Sequence, residues 1–146
     1  MIGDDLSAAL PELRAQAESL MQDACTVTVP GEGRGPWNDD AGTYDPPPAV
    51  TLYAGKCRVR QPNTGGNEAD AGETTFNVSD RIVSLPMSGD GYAAGITGIP
   101  VGATVTIAAV SPVSDPFMVG KTFTYLSPAS QQTHSTARRL RCKEVD

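Results

Sequence analysis

Enzymatic chemistry needs groups that converge, and this 146-residue chain carries few with a recognisable spacing. Its single histidine, His134, sits in a polar Gln-Gln-Thr-His-Ser-Thr run. No carboxylate or nucleophile stands at a general-base or triad spacing from it. Asp4-Asp5 and Asp39-Asp40 are adjacent acids, but a calcium site gathers several oxygens at set intervals, and those intervals are missing. Gly31-Glu32-Gly33-Arg34-Gly35 is glycine-rich without lying between a strand and a helix, so it lacks the arrangement that cradles phosphate. There is no serine elbow and no P-loop. Cys25, Cys57 and Cys142 are far apart and odd in number, with no C-x-x-C pair, which fits neither a disulfide framework nor a zinc site. They read as small buried hydrophobes. The expectation is a protein that is not an enzyme, with no cofactor and no metal.

Charge narrows the possibilities further. Eleven Lys and Arg against seventeen Asp and Glu give a net charge of −6, whereas nucleic-acid binding draws most of its energy from clustered cations. The basic residues that do cluster alternate along apparent strands: Arg58 and Arg60 in one, Arg138, Arg139 and Arg141 in another. These five are the candidate subunit interface, an outward face that would meet acidic surface on a neighbour. The N-terminus has no signal-peptide pattern, and no run reaches the roughly 18 apolar residues of a membrane span. A cytoplasmic origin without membrane association is therefore expected.

The elements that must position these residues can be read from periodicity. Leu6, Leu10, Leu13, Ala17, Leu20, Met21 and Ala24 recur at three- and four-residue steps and predict an N-terminal helix over residues 1–24, packed on the rest of the domain. Pro11 interrupts it, so its firm part is expected from about Pro11 to Ala24. Residues 25–146 form the second unit, with about six short strands. Alternation places Cys25, Val27 and Val29 on one face, then Cys57 and Val59, with Gly55 marking a bulge or bend. In residues 74–86 the parity slips between Phe76/Val78 and Val83/Leu85, implying a break near Ser79-Asp80. Strands over 104–110 and 120–126 follow, and then a last one within 135–145, with Leu140 and Cys142 inward. Short strands at this spacing, led by one helix, predict a mainly β fold: an N-terminal α-helix followed by a small closed β-barrel.

Two long polar loops remain, at 30–48 and 61–72. Long loops in compact domains are usually functional or disordered. Their candidate contact residues, facing a neighbour or a channel lumen, are Arg34, Trp37, Asp39, Asp40 and Tyr44 in the first, and Asn63, Asn67, Glu68 and Asp70 in the second.

In order along the chain stand Ser19-Leu20-Met21-Gln22-Asp23-Ala24-Cys25-Thr26-Val27, Leu52-Tyr53-Ala54-Gly55-Lys56-Cys57-Arg58-Val59, and Ile99-Pro100-Val101-Gly102. Asp115-Pro116, Val119-Gly120-Lys121-Thr122-Phe123 and Thr136-Ala137-Arg138-Arg139-Leu140-Arg141 follow. This ordered set resembles the small head–tail connector proteins, of stopper or head-completion type, of tailed phages infecting actinobacteria. The resemblance implies a virion neck subunit that forms a closed ring, six- or twelve-fold, between the portal-side adaptor and the tail terminator or tail tube. It also implies loops that touch neighbours or point into a channel where packaged DNA is retained without sequence-specific binding. A neighbouring adaptor or tail terminator ring is the alternative of the same kind, and a soluble β-sandwich binding module the alternative of another kind.

Overall fold

The computed structural model describes residues 2–61, 70–71, 74–75 and 80–145. Helix α1 (Ile2–Ser19) leads into ten strands: β1 (Asp23–Val29), β2 (Trp37–Asn38), β3 (Thr43–Tyr44), β4 (Val50–Arg60), β5 (Asp70–Ala71), β6 (Thr74–Thr75), β7 (Asp80–Leu85), β8 (Thr104–Ala109), β9 (Thr122–Ser130) and β10 (Arg138–Val145). Six of them close an antiparallel barrel in the order β1-β4-β7-β10-β9-β8, while β2-β3 and β5-β6 form two small separate hairpins. The mainly β, helix-led closed barrel expected from the pattern is the observed fold. The sandwich alternative falls away, because the long strands share one closed sheet.

Closure follows from the alternation. Cys25 and Val27, Tyr53 and Cys57, Val83 and Leu85, Val105 and Ile107, Phe123 and Tyr125, and Leu140 and Cys142 all point inward and make a single buried cluster. A six-stranded barrel is narrow enough for such side chains to fill it. All three cysteines are buried free thiols, as their isolation suggested. The Cys142 thiol is pushed up to about 12, first by burial and then by the nearby Asp80 charge. Cys57 is raised mainly by its hydrogen bond with Cys25 and next by burial.

Three local expectations change. Helix α1 runs unbroken through Pro11 and ends at Ser19, not at Ala24. Asp4 and Asp5 in its first turn lie where the helix dipole favours negative charge, which supports the turns before the proline. The helical periodicity of Met21 and Ala24 is overridden by sheet pairing, since Asp23 and Ala24 are held by Cys57 and Lys56 of β4. Asp23 Oδ1 also accepts from Ser111 N at 3.1 Å and Ser114 Oγ at 2.5 Å, pinning the start of β1. Helix α1 has no buried residue. It is tethered by Arg14 Nε donating to Ser135 O at 3.2 Å and by a Glu18–Lys56 ion pair at 3.6 Å.

The bulge in β4 falls at Leu52, not Gly55: the register steps from Val27–Tyr53 to Thr28–Thr51, whereas Gly55 sits in an uninterrupted ladder opposite Cys25. Gly55 has a different task, because a Cβ there would come 2.9 Å from the Tyr53 hydroxyl. Two further bulges lie in β9 on either side of Pro128, whose neighbours shift register against β10; proline has no N–H to give a ladder. The expected break near Ser79-Asp80, with Phe76 and Val78, lies outside the described residues, but β7 starts at Asp80 with Val83 and Leu85 inward as the parity required.

Candidate interaction surfaces

The 30–48 loop is built rather than loose. Strands β2 and β3 pair Trp37 with Tyr44 and Asn38 with Thr43. The arms below them are joined by Gly35 N to Asp45 O at 3.1 Å and Asp45 N to Pro36 O at 2.8 Å. The tip is closed by Asn38, whose side-chain oxygen accepts from the amides of Asp40 and Ala41 at 3.0 and 3.2 Å. Gly42 turns the chain with φ of 68°, a left-handed conformation that favours glycine.

On this hairpin the Trp37 and Tyr44 rings meet edge to face at 5.0 Å. The Arg34 guanidinium lies 4.9 Å over the Tyr44 ring. Trp37 Nε1 donates to Asp39 Oδ1 at 2.6 Å. Trp37 and Tyr44 nevertheless remain 53% and 49% exposed. Five predicted loop residues, Arg34, Trp37, Asp39, Asp40 and Tyr44, are thus gathered into one knob with a Trp-Tyr-Arg body and an Asp39-Asp40 tip. Tryptophan, tyrosine and arginine are the types enriched among residues that dominate protein–protein binding energy. Of the second loop, Asn63, Asn67 and Glu68 lie outside the described residues. Asp70 opens β5, paired with Thr75.

The predicted arginine face divides in three. Register aligns Arg58 with Ser84 and Arg60 with Ile82 across β4 and β7, and Ser84 with Arg139 and Ile82 with Arg141 across β7 and β10. Four arginines therefore flank the outer side of β7. Ile82 and Ser84 are buried although they point away from the core, consistent with arginine stems lying along them. Arg141 is not available to a neighbour, because its Nε binds Asp80 Oδ2 at 2.9 Å within the same chain. Arg138 shares the parity of Leu140, so it leaves this face. It lies 5.6 Å over the Tyr92 ring and donates to Met87 O at 3.3 Å. Arg58, Arg60 and Arg139 remain as the cationic patch. Burial first, then the charges of Arg139 and Arg58, lower the pKa of Arg60. Arg139 donates to Thr136 Oγ1 at 3.2 Å; among the described residues, no carboxylate pairs with any of the three.

Two surfaces escaped sequence reasoning. An open groove of about 660 Å³ runs between the 87–101 segment and the β9–β10 connection, with Tyr92, Ile96, Ile99, Pro128 and Arg138 among its walls. It depends on the 91–93 segment adding to β4, through Ala54 N to Gly91 O and Ala93 N to Leu52 O, both 2.9 Å. No local pattern announces that bridge. The β8–β9 loop also exposes Val113, Val119 and Phe117, the last at 83%. Its Ser-Pro-Val-Ser-Asp-Pro-Phe-Met run reads only as a turn; the apolar residues inside it were the available signal. His134 is exposed in the β9–β10 connection, and no group of three or more metal-ligating side chains assembles among the described residues.

These features define the class as a helix-led, closed six-stranded antiparallel barrel. Residues 13–143 match the model of a family of unknown function, DUF6093, and the chain belongs to that family. No curated protein matches it. Among solved structures, the chain is similar to the solution structure of protein SF1141 from Shigella flexneri 2a. That similarity has 13% identity over 85% of this chain and 92% of that one, with a TM-score of 0.45.

Proposed function

We propose that this protein is a structural subunit of the virion neck, forming a closed ring between the portal-side adaptor and the tail and helping to retain packaged DNA as a stopper does. The observation that carries the reading is the exposed, preorganised Arg34–Trp37–Tyr44 knob on a barrel whose interior is filled. A fixed aromatic cluster loses little side-chain entropy on docking, so its area converts efficiently into binding. The ordered sequence resemblance to head–tail connectors supports a position in the neck and partners on either side of it. The net charge of −6 suits a conduit that DNA passes without adhering, since phosphate repels an acidic wall. A knob and a cationic face of different shape make a head-to-tail contact, and such contacts are satisfied without loose ends when rotation closes a ring. The adaptor and tail-terminator positions use the same assembly chemistry and are the second reading.

Negative-stain microscopy and mass photometry of the purified chain test this. Ring-shaped particles of six or twelve copies are expected. Monomers alone, both by themselves and with neck partners, would count against the proposal.

A further inference from the structure

The geometry points to a specific self-contact: the Asp39-Asp40 tip of the β2–β3 knob of one copy seats on the Arg58–Arg60–Arg139 face of the next. This rests on the ring reading above and names its interface.

Among the described residues, each half presents charge that no group of opposite sign pairs with. Arg58, Arg60 and Arg139 share the outer side of β7 with the Asp80–Arg141 pair, yet among the described residues no carboxylate bonds to any of the three, and the charges of Arg139 and Arg58 both bear on Arg60. Like charges this close in a partly dehydrated setting are relieved by an anionic partner. At the other half, Asp39 and Asp40 are exposed, on a turn fixed by Asn38 and by the Trp37 indole. Their chain neighbours Trp37 and Tyr44 supply apolar area beside the charges, and a sheet face lined with arginine stems can cover that area.

The two halves cannot meet within one chain. The knob joins β4 at Val50 and the arginines lie at its far end, Arg58 and Arg60. An eleven-residue strand at about 3.3 Å per residue separates them by roughly 30 Å. The knob's arms are also held together near its base, where Gly31 lies so close to Pro48 O that a Cβ would overlap it. Only a second copy brings tip and face together. Because the two surfaces differ, the contact is heterologous and propagates from copy to copy. DNA phosphate is the rival occupant; with a whole-chain charge of −6 and three arginines on this face, the acidic tip is the better match in charge and size.

The test is a charge swap in the full chain. In D39K/D40K and in R58E/R60E, the concentration needed for half-assembly, read by mass photometry, should rise at least about tenfold, because like charges then face each other. The quadruple variant D39K/D40K/R58E/R60E should recover to near wild type, as should an equimolar mixture of the two double variants. If R58E/R60E proves misfolded by circular dichroism, R58Q/R60Q carries the same comparison with a smaller shift. Assembly that ignores all these substitutions overturns this contact and leaves the ring reading standing. Wild type that stays monomeric at every concentration overturns both. Loss of duplex DNA binding in R58E/R60E with assembly unchanged assigns the face to phosphate and overturns the contact.

Discussion

Replacing Asp80 by Asn separates the structural role of the arginine face from its binding role. Asp80 is 2% exposed and the Arg141 side chain 18%, with Nε and Oδ2 at 2.9 Å. Asparagine keeps the shape and some hydrogen bonding but removes the carboxylate charge that the largely buried Arg141 Nε binds. Breaking a buried pair from one side costs about 3–5 kcal/mol. The residual exposure of Arg141 allows some solvation, so about 3 kcal/mol is expected. Against a total stability of roughly 5–15 kcal/mol for a domain, that is a severe loss. At about 2–4 °C per kcal/mol for a chain near this size, Tm falls by about 6–12 °C. Urea unfolding should show the midpoint shifting with the m-value unchanged. Arg141→Met alone should also destabilise, and D80N/R141M should recover at least about 1 kcal/mol relative to the sum of the singles, because both singles break the same ion pair. Arg58→Met, on the same face with no carboxylate partner, should change stability by no more than about 0.5 kcal/mol. A D80N loss below about 1 kcal/mol, or strict additivity in the cycle, would refute the assignment of Arg141 to the fold.

Trp37→Ala should leave the unfolding midpoint nearly unchanged, since the ring is half-exposed on a hairpin outside the barrel. It should weaken assembly by about 2 kcal/mol or roughly thirtyfold, the signature of a binding anchor, as read by mass photometry. Stability should fall above pH 9. Burial raises the folded-state pKa of Cys142 to about 12, and Cys57 is raised as well. The neutral thiols therefore contribute fully below the unfolded thiol pKa, and the contribution is lost as pH climbs towards the folded value. At one unit above the unfolded pKa each group costs about 1.4 kcal/mol. Urea midpoints at pH 8 and 10 measure the slope, to which the raised phenols of Tyr53, Tyr92 and Tyr125 add, and Cys142→Ala should reduce it by about a third. Gly91→Ala would place a Cβ 2.7 Å from Tyr53 Cε2 and 2.8 Å from Ala54 O. It should cost about 1–3 kcal/mol, with amide exchange at Ala54 accelerating as the 91–93 segment lifts from β4.

Barrel formation was legible from the residues alone. Cys25 and Val27, Val105 and Ile107, and Leu140 and Cys142 alternate with polar neighbours, and period two admits one inward face per strand whatever the partner strand is. The hydrophobic fate of the three thiols followed from their isolation. The knob's residue types were also legible, because Trp37 and Tyr44 are large apolar side chains in an otherwise polar loop. That they meet was not: their contact depends on Asn38 and Gly42 closing a two-residue ladder, and the loop's length permits many other turns. Only the tertiary structure decided three further matters. It ended α1 at Ser19, because pairing of Asp23 and Ala24 with β4 outweighs a helical periodicity that continues past them. It placed the bulge at Leu52, a choice set by register between two strands rather than by the glycine nearby. And it divided the arginines, since alternation ranks them as equals along the chain while only the fold brings Asp80 to Arg141, sends Arg138 to Tyr92, and leaves Arg58, Arg60 and Arg139 together. Periodicity is a property of one strand; charge pairing is a property of neighbours distant in sequence, and those neighbours exist only once the barrel closes.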